Sequence, residues 1–505
     1  MATAISRTEQ APSRWGNFLL GWLMMAIGTI LLGGGVCLLV PGGSWYYVLA
    51  GAGLVMLGTY LLKAWPQGVF LCLAICVAIW IRAIWEVGFD PWPLVAPSVL
   101  LLLALLGLPG LLRRPAFAGL VALLAAPLPG AGQAQTAPAA PRPGRADCPA
   151  YGDGQDAMRC SPLATNTPGN VADLKEVWDH DLGTQATLAD FPPERGSVPA
   201  LALPSKQGDI DRATGEPLTP VEDRPVPTGG IEPENLSPTQ AFSGYHTLAK
   251  RDMWGMSSLD QFWRRIQSRR AHYDDIYTPP TVDRPCIRYP GHNGGYDWGE
   301  VASDPERGVI LANYSDMLNH NSLTPHEKID AAGVLPMDEG QSAASAPDDR
   351  GPQVGAPGDI GVNAGWRVPV TGLLFKQPPY GGIRAIDLAT GETLWDQPLG
   401  TARRSGPFDL PSFLPFPIGT PNQAGAVVTA SGLAFIMAAM DDLLRAIDVG
   451  TGEVVGRTPL PAGGQATPIT HEAGGRQYVA IMAGGHAFME TPIGDHVLAY
   501  ALPAR

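Results

Sequence analysis

The chain has 505 residues, of which 45% are hydrophobic and 16% are charged, and its formal net charge is −13. A nucleic-acid partner requires a basic face, so an acidic chain of this size argues against one. The charge is uneven, because residues 1–128 carry a net +3 whereas residues 129–505 carry −16. We therefore predict an apolar anchor at 1–128, a linker at 129–146 and an exported globular domain at 147–505.

The anchor is predicted from long apolar stretches. A helix needs about 20 apolar residues to cross a bilayer, because its backbone groups must be satisfied within the helix. Four stretches qualify by length, at residues 18–40, 45–62, 68–85 and 92–112. A fifth, at 116–128, is shorter and contains Pro127. The sequence thus predicts an α-helical membrane domain of about five transmembrane helices.

The cations of the anchor predict its orientation. Positive charge favours the cytoplasmic side of a membrane. The five cations outside the predicted spans all fall on one side, and they are Arg7, Arg14, Lys63, Arg113 and Arg114. Five crossings then export everything after residue 130. Alternatively, the apolar run before residues 131–134 is a secretory segment with a small-residue cleavage site, which exports the same residues.

The segment after the anchor is predicted to be a tether. Residues 129–146 are rich in Pro, Ala and Gly and have no apolar period. Beyond it, Cys148 and Cys160 are close enough in sequence to form a disulfide in an oxidising compartment. Cys286, the third exported cysteine, would then have no disulfide partner.

The exported domain is predicted to be rich in loops and short β-strands, for example at 425–438 and 477–482. One amphipathic helix is expected at 257–270, where apolar residues recur at helical spacing. Residues 343–361 contain few apolar side chains and are predicted to form a long loop.

An internal repeat indicates the architecture of this domain. The sequence DLATGE at 387–392 recurs as DVGTGE at 448–453 and as DRATGE at 211–216. An Asp that binds turn amides, followed by a Gly with positive φ, predicts a tight hairpin turn. Repeated hairpins bury their faces by stacking, and radial closure protects their edges. We predict an all-β propeller, with three coincidental hairpins in an unrelated β fold as the alternative.

At these residues the chain resembles the membrane-bound pyrroloquinoline quinone (PQQ) dehydrogenases of the glucose/quinate/shikimate family. The repeat shares Ala385-Ile386-Asp387, Gly391 and Trp395 with it. Further matches lie at 43–47, 85–90, 252–255, 277–280, 375–378, 460–486 and 495–503.

The resemblance implies a five-helix anchor in the bacterial inner membrane and an eight-bladed periplasmic propeller of the quinoprotein type. It implies PQQ and a divalent cation (Ca²⁺ or Mg²⁺) as cofactors, and ubiquinone as electron acceptor. A small sugar or polyol is the implied substrate.

The resemblance also suggests site residues. Asp179 corresponds to the catalytic base, Lys206 to a PQQ-contacting lysine, Asn313 to a PQQ-site asparagine and His486 to a histidine near the active centre. A base removes the hydroxyl proton, and an ammonium stabilises the charge that develops on the quinone. Each residue also has a structural alternative: Asp179 and Asn313 as turn residues, Lys206 as a surface lysine, and His486 as a histidine held by backbone groups.

The chain departs from the family pattern near residue 177. The family's early blades should lie between segment 172–176 and Asp179, and here the two segments abut. The absent block would supply most cation ligands and several PQQ contacts, so the metal ligands are unknown and the propeller is expected to be incomplete. Three functions stay open: a PQQ-dependent dehydrogenase of glucose or of quinate/shikimate, a degenerate non-catalytic relative, and a membrane-tethered scaffold.

Overall fold

A computed structural model gives the fold of two compact units. The helical unit comprises Met1–Gly130 and Ala249–Ala271, and the β unit comprises Ala131–Leu248 and His272–Arg505. The described residues are 14–39, 46–63, 67–87, 92, 94, 98, 187–191, 198–202, 210–211, 221–231, 236–242, 247–292, 294–296, 299, 301–331, 358–369 and 371–503.

Three apolar helices occupy the first three predicted spans. They are α1 (Arg14–Leu39), α2 (Tyr46–Leu62) and α3 (Gln67–Val87). Glycines let α1 and α2 approach closely, since a Cβ on Gly28 would lie 2.7 Å from the amide nitrogen of Val55. Among the described helices, only α1 is long and apolar enough to cross a membrane, at Phe18–Cys37. The expectation of about five transmembrane helices therefore stays a prediction, because α1 alone of the three described anchor helices qualifies and the fifth stretch and most of the fourth lie outside the described residues.

The predicted amphipathic helix is confirmed as α4 (Ser258–Arg270) and belongs to the helical unit. Ser257 caps it by accepting a hydrogen bond from the amide of Asp260 at 3.2 Å. Phe262 packs against Tyr47 of α2 with ring centroids 4.8 Å apart. Arg264 is fully buried and pairs with Asp260 one turn earlier at 2.8 Å. The apolar face of α4 thus packs on the anchor helices.

Four antiparallel sheets form the main part of the β unit. Sheet 1 contains β1 (Thr187–Phe191), β2 (Val198–Ala202) and β3 (Ile210–Asp211). Sheet 2 contains β7 (Val301–Asp304), β8 (Val309–Ser315), β11 (Gly381–Asp387) and β12 (Thr393–Pro398). Sheet 3 contains β13 (Val427–Val428), β14 (Leu433–Ile436), β15 (Leu443–Asp448) and β16 (Val454–Pro459). Sheet 4 contains β17 (Ile469–Ala473), β18 (Arg476–Ala483) and β19 (His496–Ala501).

The four sheets pack face to face in succession. Ala202 of sheet 1 packs with Ile310 of sheet 2. The neighbouring residue, Leu311, lies on the other face of sheet 2 and shares a core with Ile436 of sheet 3. The third core joins the far side of sheet 3 to Val479 and other residues of sheet 4. Strand β8 is therefore covered on both faces, which explains its unbroken apolar run at 309–312.

The repeated hexapeptides form the predicted hairpins. Asp387 accepts hydrogen bonds from the amides of Ala389 and Thr390 at 2.8 and 2.9 Å, between β11 and β12. Asp448 accepts a hydrogen bond from the amide of Thr451 at 2.8 Å, between β15 and β16. The glycines that follow, Gly391 and Gly452, have φ of 70° and 77°. The third copy lies outside the described residues beyond Asp211.

Two further sheets lie in the described part of the β unit. The strand pair β4 (Glu222–Pro225) and β5 (Thr239–Phe242) stands by itself. The side sheet pairs β6 (Cys286–Arg288), β9 (Asn319–Pro325) and β10 (Gly358–Ala364), with α5 (His326–Ala331) following β9. The predicted loop at 343–361 was thus wrong at 358–361, which pair with β9. Cys286 is a free, buried thiol, whereas Cys148 and Cys160 lie outside the described residues.

Candidate cofactor site

Two of the four predicted site residues are described. Asp179 and Lys206 lie outside the described residues. Asn313 lies in β8, and His486 lies in the loop between β18 and β19. They belong to two different hydrogen-bond networks.

Asn313 connects sheet 2 to the segment that enters sheet 3. Its side chain is 2% exposed, and Nδ2 donates to Oδ1 of Asn422 at 2.6 Å and to the carbonyl of Ala424 at 2.9 Å. Gly299 lies against the amide so closely that any Cβ would collide with it. A glycine is required there, and the position of Asn313 is fixed from both sides.

Asn422, which the sequence reasoning missed, is the centre of this network. Its Nδ2 donates to the carbonyls of Tyr314 and Thr420 at 2.8 and 3.1 Å, and its backbone amide donates to Oγ of Ser315 at 3.0 Å. These bonds satisfy a buried amide and fasten two sheets. Asn313 thus has a structural role inside strand β8, so the alternative that it is a turn residue was wrong, and its contact with PQQ stays a prediction.

His486 is exposed and belongs to a loop network. Its backbone amide donates to Oγ1 of Thr491 at 2.8 Å, and its Nδ1 accepts a long hydrogen bond from the amide of Met489 at 3.4 Å. Gly463 and Gly485 connect this loop to the one before β17, because the amide of Gly485 donates to the carbonyl of Gly463 at 2.8 Å. When Nδ1 accepts, the proton of the neutral ring is on Nε2, which can donate to a ligand.

Gln465 is the polar side chain in this region that lacks partners. Its Oε1 and Nε2 are both buried and make no hydrogen bond to any described residue. Two residues on, Oγ1 of Thr467 accepts from the amide of Gly425 at 3.0 Å, and Gly425 in turn abuts the carbonyl of Gly299. A buried amide with a free donor and a free acceptor suits a polar ligand, and PQQ, with its carbonyl and carboxylate oxygens, is of that class.

A partly buried ion pair lies between sheet 2 and the side sheet. Lys376 Nζ is 2.8 Å from Oδ2 of Asp316, and the hydroxyl of Tyr289 donates to Oδ1 of the same carboxylate at 2.7 Å. Lys376 belongs to the family-like motif at 375–378, for which the sequence resemblance suggests no role. Within the described ranges no three His, Cys, Asp or Glu side chains form a group that could hold a metal ion. The metal ligands therefore stay unknown.

Comparison with known proteins identifies the family. Residues 174–479, more than half of the chain, match the PQQ family described as the glucose/ethanol/alcohol dehydrogenase β-propeller domain. The chain belongs to this family. The resemblance stated above and the expected quinoprotein-type propeller are thereby confirmed.

Individual relatives refine this result. The glycerol dehydrogenase large subunit of Gluconobacter thailandicus is 48% identical over 343 residues, which is 65% of this chain and 46% of that subunit. The quinoprotein glucose dehydrogenase of Escherichia coli strain K12 is 38% identical over 338 residues, 65% of this chain and 42% of that enzyme. The chain therefore spans less than half the length of these two relatives.

A different relative matches a smaller share of the chain. The glycerol dehydrogenase small subunit of Gluconobacter thailandicus is 38% identical over 106 residues, which is 20% of this chain and 83% of that subunit. One polypeptide thus has similarity to both subunits of a two-subunit dehydrogenase.

Proposed function

We propose that the chain is a membrane-anchored PQQ dehydrogenase that oxidises a hydroxyl group of a small polyol or sugar in the periplasm and passes the electrons to ubiquinone. The family match over residues 174–479 carries this proposal. The unpartnered amide of Gln465 supports it, because it offers a bound polar cofactor both a donor and an acceptor.

The chain's own residues would divide the work as follows. PQQ, when bound, supplies the quinone that accepts hydride from the substrate carbon. Asp179 would take the proton of the substrate hydroxyl, and the ammonium of Lys206 would favour negative charge on the cofactor oxygen. Gln465 and the Nε2 proton of His486 would bind polar cofactor atoms. Asn313 would act indirectly, by holding β8 in register with sheet 3.

The substrate proposed first is a polyol. The glycerol dehydrogenase large subunit is 48% identical, against 38% for the glucose dehydrogenase, so the pocket residues are expected to resemble those of the polyol enzyme more closely. Glucose and quinate or shikimate are the other candidates.

The small-subunit similarity supports a fused arrangement. We infer that the 106-residue match falls before residue 174, where the family match begins, and mainly on the apolar anchor predicted at 1–128. We propose that this anchor, in the inner membrane with its N-terminus in the cytoplasm, replaces a separate small subunit and receives ubiquinone from the bilayer.

Membranes containing the full chain test this function. They would be supplied with PQQ and Ca²⁺ or Mg²⁺, and reduction of a dye or of ubiquinone would be followed with glycerol, glucose and quinate. Asp179→Asn is expected to lower the rate at least about 100-fold without loss of PQQ, since general-base catalysis contributes that much. Asp223→Asn, on the exposed strand β4, is the matched control and should leave the rate unchanged.

The alternatives predict different results. A degenerate relative would neither reduce the acceptor nor retain PQQ in the membrane fraction. A scaffold would retain a protein partner under conditions in which PQQ binding is absent. Either outcome would contradict the dehydrogenase proposal.

A further inference from the structure

The segment 250–270, which contains α4, is basic although it belongs to an acidic part of the chain. It has six Lys and Arg side chains against two carboxylates, a net charge of +4, whereas residues 129–505 as a whole carry −16. Arg264 is fully buried and its charge is matched by Asp260. The exposed cations of the segment are Lys250, Arg251 and Arg270. Positive charge concentrated in this way attracts an anionic partner.

Helix α4 packs on the anchor near the end of its long apolar helix. Leu259, Phe262 and Ile266 recur at helical spacing and form the face of α4 that enters the core of the helical unit. The ring of Phe262 lies so close to Gly34 of α1 that any Cβ there would collide with it. Gly34 is three residues before the end of the candidate span Phe18–Cys37, about 4.5 Å along the helix axis. Helix α4 therefore meets the anchor at the level of a membrane surface.

A second contact places the start of the segment at the same level. The indole Nε1 of Trp254 donates to the carbonyl of Trp92 at 2.7 Å, and the two rings meet edge to face. Trp92 begins the predicted fourth span, and Tyr47, on which Phe262 packs, lies at the start of α2. In the predicted orientation these two span ends and the last turns of α1 are all on the exported side. Segment 250–270 is thus expected along the periplasmic surface of the membrane.

Two exposed side chains of α4 have the chemistry of a membrane interface. Trp263 is 37% exposed, and Arg270 lies seven residues, or two turns, further along the same side of the helix. An indole ring favours the boundary between hydrocarbon and headgroups. An arginine can keep its stem on apolar surface while its guanidinium reaches the lipid phosphates. Basic amphipathic helices of this composition lie in the plane of the interface.

We propose that segment 250–270 lies on the periplasmic membrane surface and binds the headgroups of anionic phospholipids through its exposed cations. Each cation near an anionic lipid surface strengthens binding about fivefold. The acidic remainder of the exported domain is repelled by the same surface, so this segment supplies the attraction where the chain meets the membrane. The inference rests on the membrane anchor of the proposed function and does not use its PQQ chemistry.

Fluorescence quenching tests the depth of α4. The full chain carrying Trp263→Cys would be labelled with an environment-sensitive dye and reconstituted in vesicles of phosphatidylglycerol and phosphatidylcholine, with labelled wild-type chain as background. A nitroxide on the lipid headgroup should quench the label more strongly than a nitroxide at the end of an acyl chain. Val455→Cys, at a 55% exposed position of β16, is the matched control and should not be quenched. Equal quenching at the two positions would overturn the proposal, and it is the result expected if the segment packs on the acidic β unit instead.

Titration of the full chain in detergent with short-chain phosphatidylglycerol tests the lipid class. Arg251→Gln combined with Arg270→Gln should raise the dissociation constant about 25-fold, because two charges are lost, whereas lysine at both positions should preserve the wild-type value. Arg403→Gln combined with Arg457→Gln removes two exposed arginines of the β unit and should change nothing. Equally tight binding of phosphatidylcholine, or undiminished binding in the Arg251→Gln/Arg270→Gln variant, would overturn the proposal.

Carbonate extraction separates this inference from the proposed anchor. A chain that stays in the membrane but binds no phosphatidylglycerol would overturn this inference alone. A chain that carbonate removes from the membrane would overturn the anchor and this inference together, whatever its dehydrogenase activity.

Discussion

Replacing Gly452 by alanine tests how one sheet is fastened to the next. The indole Nε1 of Trp395, in sheet 2, donates to the carbonyl of Val449 at 2.8 Å, in the β15–β16 hairpin of sheet 3. The ring lies over Gly452, where a Cβ would be 2.8 Å from the Cδ2 atom of Trp395. Gln397 adds a hydrogen bond to the carbonyl of Gly452 at 2.7 Å. Alanine there would force the tryptophan away.

Gly391 is the matched control, because it occupies in the copy at 387–392 the position that Gly452 occupies in the copy at 448–453. Its φ of 70° is close to the 77° of Gly452, but a Cβ there would meet nothing within 4 Å. Gly391→Ala should cost only the left-handed backbone penalty, about 1–2 kcal/mol. Gly452→Ala should cost that amount plus about 1–3 kcal/mol for overpacking against Trp395. The difference between the two variants measures the steric contact.

A double-mutant cycle identifies the partner. In a Trp395→Ala background the excess cost of Gly452→Ala over Gly391→Ala should vanish, because the colliding ring is gone. Hydrogen exchange followed by mass spectrometry, on peptides covering β11–β12 and β15–β16, gives the free energy of opening for each hairpin. Equal costs for the two glycines in the wild-type background, or an excess that persists without Trp395, would refute the reasoning.

Three further predictions concern buried charge. Burial lowers the pKa of His320, whose ring stacks on Trp366 at 4.5 Å, so stability should fall as pH drops below about 6.5, and His320→Gln should flatten that slope in thermal unfolding. Burial raises the pKa of Asp442 despite its ion pair with Arg404, so the folded state holds the carboxyl proton more tightly than the unfolded state does. The protein therefore loses stability as pH rises above the ordinary carboxyl range. Asp442→Asn removes this loss, so the free energy of unfolding of the variant relative to wild type should be higher at pH 7 than at pH 4 in denaturant titrations. Lys376→Met leaves the Asp316 carboxylate half-buried without its cation and should cost about 3 kcal/mol in the same titrations, part of which Asp316→Asn should restore.

Each of these has an outcome that would contradict it. An unchanged pH slope in His320→Gln would mean that the ring titrates equally in both states. A loss of stability in Asp442→Asn at pH 7 would show that the pair with Arg404 outweighs the cost of burial. A negligible effect of Lys376→Met would show that Asp316 is solvated well enough without it.

Local features of the fold were predictable from sequence, and long-range ones were not. The hairpins at Asp387 and Asp448 follow from an Asp and a Gly that act within one turn. Helix α4 follows from its own apolar period. The side sheet was missed because β10 pairs with β9 across a segment of low apolar content, and only that pairing makes residues 358–361 a strand.

The candidate site shows the same division. A motif match located Asn313, but its partner Asn422 is 109 residues further on, and nothing in the local sequence connects the two. Lys376 and Asp316 are 60 residues apart and meet only because β8 and β11 are neighbours. Sequence motifs were enough to locate these side chains, but their hydrogen-bond partners could be identified only once the order of the strands in the sheets was known.

The fastening of sheet to sheet has a bearing on how such chains arise. Among the described residues, the cores of the four-sheet stack join neighbouring sheets. The hydrogen bond from Trp395 to Val449 and the cores next to it therefore do not depend on sheets further along the stack. A gene encoding this architecture can lose whole blades while the contacts between the remaining neighbouring sheets stay unchanged. The hydrogen bond from Trp395 to Val449 and the core between sheets 2 and 3 would therefore survive the gain or loss of a blade elsewhere in the stack.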